Sequence, residues 1–125
     1  MILKDELYHI INIEKENDKL FFDISLNKNH FIYKAHFPNF PITPGVCLIQ
    51  IGTELLSTYF QKKYKIKLIK SVKFLSTISP EMYPCIKYVV DKLTIEESNL
   101  NIQMQVLSQQ TPLCKLSFVC NNEFL

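Results

Sequence analysis

The sequence predicts an α+β fold in which one long central helix is wrapped by a curved antiparallel sheet of five to six strands. Three observations predict it. One helical pattern, running to about Phe60, is apolar around most of its circumference, as expected of a helix buried on several sides. Two β-type runs precede it and four follow. Short polar clusters separate these runs, which is the spacing of hairpins and a meander.

Taken in order, residues 1–6 form a short lead-in. Residues 7–14 (LYHIINIE) are β-rich and lead through the polar cluster 15–19 to a return strand at 20–26 (LFFDISL). There Phe22, Ile24 and Leu26 alternate with Asp23 and Ser25, so one face is apolar. The polar stretch 27–29 breaks the strand. Phe31, Tyr33 and Ala35 alternate with Ile32 and Lys34, which predicts a short extended piece delivering His36 to its place.

From His36 the chain is stiff. Pro38, Pro41 and Pro44 each fix φ and bias the preceding residue towards extended backbone, so 36–43 should be neither helix nor sheet. Thr43 is a suitable N-cap, and Pro44 suits the first helical position, where a missing N–H costs nothing. Val46, Leu48, Ile49, Ile51, Leu55, Leu56 and Tyr59 cover the apolar faces. Gln50, Glu54, Thr58 and Gln61 stack along one polar stripe.

Beyond the helix, 65–78 (KIKLIKSVKFLSTI) reads as a long strand, and Pro80 and Pro84 bracket the next turn. Residues 85–93, 99–108 and 113–120 are three further strands, joined by turns at 96–98 and 109–112.

Composition sets the class. A chain of 125 residues is one domain, 1–125, able to bury about two-thirds of its unfolded surface. With 47% hydrophobic and 21% charged residues it is an ordered globular protein. No leader-like N-terminus and no apolar run near 18 residues stands in the sequence, which predicts a cytoplasmic protein without a membrane span. Cys47, Cys85, Cys114 and Cys120 lack CxxC spacing and lie in apolar patterns, so they are expected to be buried thiols rather than zinc ligands or disulfides. The net charge of +2 is too small to imply nucleic acid, and all 14 basic residues are Lys. Arg, the side chain suited to bidentate phosphate and base-edge contacts, is missing.

The segment His36-Phe37-Pro38, Pro41-Ile42, Pro44-Gly45-Val46 resembles the hot-dog fold (3R)-hydroxyacyl acyl-carrier-protein dehydratases of bacterial fatty-acid synthesis. In that family a histidine loop ends in Pro-Gly-Val at the mouth of the central helix. The close likeness covers about 25 residues, and the order and length of the strands extend it loosely over the domain. It implies a hot-dog fold and dehydration of a 3-hydroxyacyl thioester to the trans-2-enoyl thioester. It also implies an acyl carrier protein bearing the acyl-phosphopantetheine as partner, and a homodimer in which His36 faces the helix of the opposite chain. No metal or nucleotide cofactor is called for.

That reaction needs three groups. A base must remove the C2 proton, and His36 suits it because imidazole titrates near neutrality. Donors must stabilise charge on the thioester oxygen, and the N–H groups of Gly45 and Val46, in the first helical turn, have no intrahelical partner. Gly45 also lets substrate approach the backbone, with Phe37 and Pro44 beside it as binding residues. The third group is an acid for the departing hydroxyl. Where the family has a carboxylate this chain has Gln50, and where it usually has Gln this chain has Glu54. An amide cannot deliver a proton, so Gln50 is assigned to orienting the hydroxyl and Glu54 to the acid.

Rival readings keep the fold and change the chemistry: an acyl thioesterase, a non-catalytic acyl-carrier-binding protein, or a chain that needs a different partner to supply the missing carboxylate. The lysines at 62, 63, 65, 67, 70 and 73 are read either as a solvated strand face or as a docking patch for an acidic carrier. Phe31, Phe37, Phe40, Leu48 and Tyr59 are candidates for an acyl tunnel or for plain core. His9 and His30 are read as structural or surface residues.

Overall fold

Alternating side chains build the sheet, and one helix fills its concave face. The structure, a computed structural model, describes residues 2–35 and 39–122. Its strands are β1 (Tyr8–Glu16), β2 (Lys19–Leu26), β3 (Tyr64–Phe74), β4 (Cys85–Glu96), β5 (Asn99–Ser108) and β6 (Thr111–Asn122). Two helices, α1 (Phe31–Ala35) and α2 (Gly45–Phe60), lie between β2 and β3. All six strands form one antiparallel sheet in the order β1-β2-β4-β5-β6-β3. The α+β expectation therefore holds, with the strand count at its upper value.

Three hairpins close through two-residue loops, 17–18, 97–98 and 109–110. Asn17 and Asp18 both have positive φ, 50° and 64°, the backbone that matches the right-handed twist of the flanking strands. Leu20, Phe22, Ile24 and Leu26 of β2 and Leu100, Ile102, Met104 and Val106 of β5 point inward and are buried. Against them α2 buries Leu48, Ile49, Ile51, Leu55 and Leu56 completely. Each such side chain contributes roughly 1.5–3 kcal/mol as an upper estimate. Gly52 permits the close approach of helix to sheet, since a Cβ there would stand 2.7 Å from Met104 Sδ. No helix among the described residues is long and apolar enough to cross a membrane.

Several local expectations are corrected. Residues 31–35 are helical rather than extended, because over five residues alternation cannot be told from a helical turn. His30 begins the turn: its Nδ1 accepts from the Ile32 N–H (3.1 Å) and its carbonyl from the Tyr33 N–H (3.1 Å). The N-cap of α2 is Pro44, in extended backbone with ψ 147°, and not Thr43. The Thr43 hydroxyl is drawn away by tertiary partners, donating to Ile78 O at 2.9 Å and lying 2.9 Å from Tyr33 Oη. Since that single proton goes to Ile78, Tyr33 is the donor to Thr43.

β3 stops at Phe74 because the Leu75 and Ser76 N–H groups both turn to Leu113 O, at 2.9 and 3.1 Å. Val46 is 55% exposed, so the helix is not sealed at its first turn. Gln61 leaves the polar stripe as the left-handed C-cap, φ 55°. Cys85 is exposed, whereas Cys47, Cys114 and Cys120 are buried. Phe31 and Phe40 are exposed rather than core or tunnel; Leu48 is fully buried.

Candidate functional site

The mouth of α2 is shaped by its backbone. Pro44 O accepts the first intrahelical bonds, from Cys47 N–H (3.0 Å) and Leu48 N–H (3.1 Å). Gly45 and Val46 are thus the first two helical residues, and their N–H groups lie on the turn where no carbonyl precedes them. The helix dipole adds partial positive charge there. A Cβ on Gly45 would stand 3.3 Å from Val72 Cγ1 and 3.4 Å from Phe74 Cε2, so the helix mouth abuts the end of β3. His36, Phe37 and Pro38 lie outside the described residues. The flanks of that loop are held by the buried Tyr33–Thr43–Ile78 chain, reinforced by Thr43 N–H to Ile78 O at 2.8 Å.

The predicted polar stripe lines a groove. Gln50, Glu54, Ser57 and Thr58 form one wall of a cavity of about 540 Å³, with Lys63, Tyr64 and Lys65 at the start of β3 and Ile2 and Lys4 around it. Ser57 ties the two walls, donating to Thr53 O (3.0 Å) and accepting from Tyr64 N–H (3.1 Å).

Glu54 gathers several donors in the groove. Its oxygens accept from Leu3 N–H (2.8 and 3.1 Å), Lys4 N–H (2.8 Å), Tyr8 Oη–H (3.0 Å) and the Gln50 amide (2.7 Å). All of these are donors, so the carboxylate is used as an acceptor and its lone-pair positions are taken up. Two things follow. The segment before β1 is anchored on α2, and the Gln50 amide is turned with its NH₂ towards Glu54. Burial and the neighbouring carboxylate push the Tyr8 hydroxyl well above the usual tyrosine range, which keeps it a donor. Gln50 and Glu54, one helical turn apart, form a hydrogen-bonded pair.

Sequence reasoning missed Leu3, Lys4 and Tyr8. They are 46 to 51 residues from Glu54, and no local pattern announces a contact of that separation. Ser57 was missed too, although its place three residues after Glu54, on the same helix face, was a usable signal. His9 stands on the surface 3.3 Å from Asp5, away from the groove. No cluster of His, Cys, Asp and Glu among the described residues is arranged to hold a metal ion.

Comparison with known proteins places this geometry in context. The model of the ApeI-like family, described as ApeI dehydratase, matches residues 12–115. Among solved structures, the chain is similar to the dehydratase heterocomplex ApeI:P from Xenorhabdus doucetiae, with TM-score 0.68 and 16% identity over 90% of this chain and 96% of that one. It is similar also to the putative thioesterase yhdA from Lactococcus lactis, with TM-score 0.62 and 12% identity over 94% of each chain. A mutant hypothetical thioesterase from Streptococcus pneumoniae aligns with TM-score 0.64 and 11% identity over 99% of this chain and 96% of that one. At these identities the likeness is one of fold, the hot-dog fold. No curated protein sequence is significantly similar to the chain.

Proposed function

The chain belongs to the ApeI-like family of hot-dog dehydratases, and from that premise we propose that it serves the dehydration of (3R)-hydroxyacyl thioesters on an acyl carrier protein. The product is the trans-2-enoyl thioester, made in the cytoplasm in fatty-acid or related lipid synthesis, with residues 1–125 acting as one domain. The observation that carries this reading is the pair of N–H groups at Gly45 and Val46, at the mouth of a helix whose next polar residues are the linked Gln50 and Glu54.

His36 takes the proton from C2, and the electron pair moves onto the thioester carbonyl. Its oxygen accepts from Gly45 and Val46, where backbone dipoles cost no reorganisation. Phe37 and Pro44 are assigned to substrate binding. The C3–O bond then breaks, and the hydroxyl takes a proton to leave as water. Gln50, aligned by Glu54, holds that hydroxyl. The occupied oxygens of Glu54 support an aligning role, which leaves the acid to a second subunit. A second copy brings Gln50 at the same place, so the homodimer expected from the family pattern does not supply it. We assign it to a different chain, a reading supported by the likeness to a dehydratase that is itself part of a heterocomplex, ApeI:P from Xenorhabdus doucetiae.

The test uses 3-hydroxyoctanoyl-acyl carrier protein and follows the ultraviolet absorbance of the enoyl thioester. The expectation is slow turnover by this chain alone, none with His36→Ala, and a gain of roughly 10²- to 10⁴-fold with Gln50→Glu. A carboxyl at position 50 would lie within hydrogen-bond reach of Glu54 and share a proton with it, which favours the protonated acid. Turnover that survives His36→Ala overturns the mechanism. Release of free thiol without enoyl product would instead favour the thioesterase reading, the activity that the names of two fold relatives suggest for those proteins.

A further inference from the structure

The helix that presents Gly45 and Val46 begins without a side-chain cap. Neither of these two N–H groups is bonded to another described residue. The first turn is thus open to a ligand, and it lacks the support that a cap usually gives a helix start. It is braced from outside instead, on both sides. Before it, Thr43 is fixed on Ile78 O by its N–H (2.8 Å) and its hydroxyl (2.9 Å), and Tyr33 of α1 donates to that hydroxyl at 2.9 Å. After it, Tyr88 of β4 donates to Leu48 O at 2.8 Å. The Leu48 N–H bonds to Pro44 O, so the residue that Tyr88 grips closes the same turn that Gly45 and Val46 begin.

Tyr88 stands in the middle of the concave sheet face, between Phe22 of β2 and Val106 of β5, and is fully buried. Burial pushes its hydroxyl well above the usual tyrosine range, so it stays a donor with no water to turn to. The helix does not need this bond for its own ladder, because Leu48 O also serves the N–H one turn further on. A phenylalanine would fill the same space with no polar atom to satisfy. What the hydroxyl adds is direction. The apolar contacts of Leu48, Ile49 and Ile51 hold α2 to the sheet without fixing its position along its axis, since burial of apolar surface is non-directional. We propose that Tyr88 is a positioning residue for the oxyanion donors: its bond to Leu48 O, with Tyr33 and Thr43 bracing the other side, holds the Gly45 and Val46 N–H groups where the thioester oxygen takes up charge. This rests on the function proposed above. Donors of that kind act by being in place before the reaction, and a misplacement of about 1 Å is enough to cost about a hundredfold in rate.

The test uses the octanoyl thioester of pantetheine, isotope-labelled at its carbonyl carbon. Lacking a 3-hydroxyl, it cannot be dehydrated and stays intact for difference infrared spectroscopy, while kcat and KM are measured with 3-hydroxyoctanoyl-acyl carrier protein. In the parent, two N–H donors should give one narrow carbonyl band at lowered frequency. Tyr88→Phe is expected to raise and broaden that band, and to lower kcat by about ten- to a hundredfold with KM changed by less than about twofold. The control is Leu100→Ala. Leu100 is buried and pairs with Ile95 and Cys120 towards the Tyr64 end of β3, whereas the helix mouth abuts Val72 and Phe74 at the other end. It should lose stability yet keep the parent's band and kcat. If circular dichroism finds Tyr88→Phe unfolded, Tyr33→Phe is expected to move the band in the same direction, and a parent-like band there overturns the proposal. So does a Tyr88→Phe protein with the parent's band and kcat, or a Leu100→Ala protein that loses as much; either leaves the proposed function standing. A parent with no lowered band, or with no enoyl product, overturns that function and this inference with it.

Discussion

Replacing Glu54 by Ala separates an anchoring carboxylate from a catalytic acid. The side chain holds two backbone N–H groups, the Tyr8 hydroxyl and the Gln50 amide. Tyr8 is fully buried, so its hydroxyl would be stranded at a cost of about 1–3 kcal/mol. The Lys4 N–H and Gln50 amide are part-exposed and can turn to water, so they add little. The Leu3 N–H lies in a residue only 4% exposed and adds about 1 kcal/mol. The total is about 2–4 kcal/mol, or a fall in Tm of roughly 6–20 °C for a chain of this size. Glu54→Gln keeps one acceptor but turns an NH₂ towards donors, and is expected to cost about half as much. The assay is thermal and urea unfolding, with a double-mutant cycle against Tyr8→Phe. In the Glu54→Ala background Tyr8→Phe should be stabilising, because it removes the hydroxyl that Glu54→Ala strands, giving a coupling of about 1–3 kcal/mol. A Glu54→Ala protein as stable as the parent, or an additive cycle, refutes the anchoring role. A Glu54→Gln protein of unchanged stability and no turnover would restore the acid.

Thr43→Val should destabilise more than Tyr33→Phe, since the first strands a buried tyrosine hydroxyl at about 1–3 kcal/mol and the second removes one donor at about 0.5–1.5 kcal/mol; urea unfolding of both variants checks the order. Iodoacetamide at pH 8 should label Cys85 in the native protein and all four thiols in denaturant, read by intact mass, because the other three are buried. Burial pushes Cys47 up, Cys114 up to about 11 and Cys120 up to about 12. In that window the unfolded chain releases these protons while the folded one keeps them, so their stabilising effect is complete below pH 9 and lost as pH rises towards 11–12. Tm should therefore fall between pH 9 and 11.

What could be read along the chain was whatever depends on near neighbours. Phe22, Ile24 and Leu26 announce a strand because a pleat repeats every two residues. The two-residue turn at Asn17 and Asp18 falls inside the polar cluster between β1 and β2 because those residue types tolerate positive φ. The stripe Gln50, Glu54, Thr58 was legible because helical residues four apart share a face. Where local rules competed, the outcome depended on contacts far along the chain. Thr43 has every local mark of an N-cap, yet its hydroxyl is spent on Ile78, 35 residues away. Val46 fits an apolar helix face, but no element of the described chain covers it.

By itself, then, the sequence determined the α+β class, the buried helix between two and four strands, and the histidine loop with Pro44-Gly45-Val46 that resembles the dehydratases. Only the tertiary structure decided which groups Glu54 holds and which flank of the site is open. Its partners Leu3, Lys4 and Tyr8 meet it through chain closure, which no periodicity encodes. The exposure of the β3 lysines as an unpaired edge follows from the strand order, which places a strand from the middle of the chain at the end of the sheet.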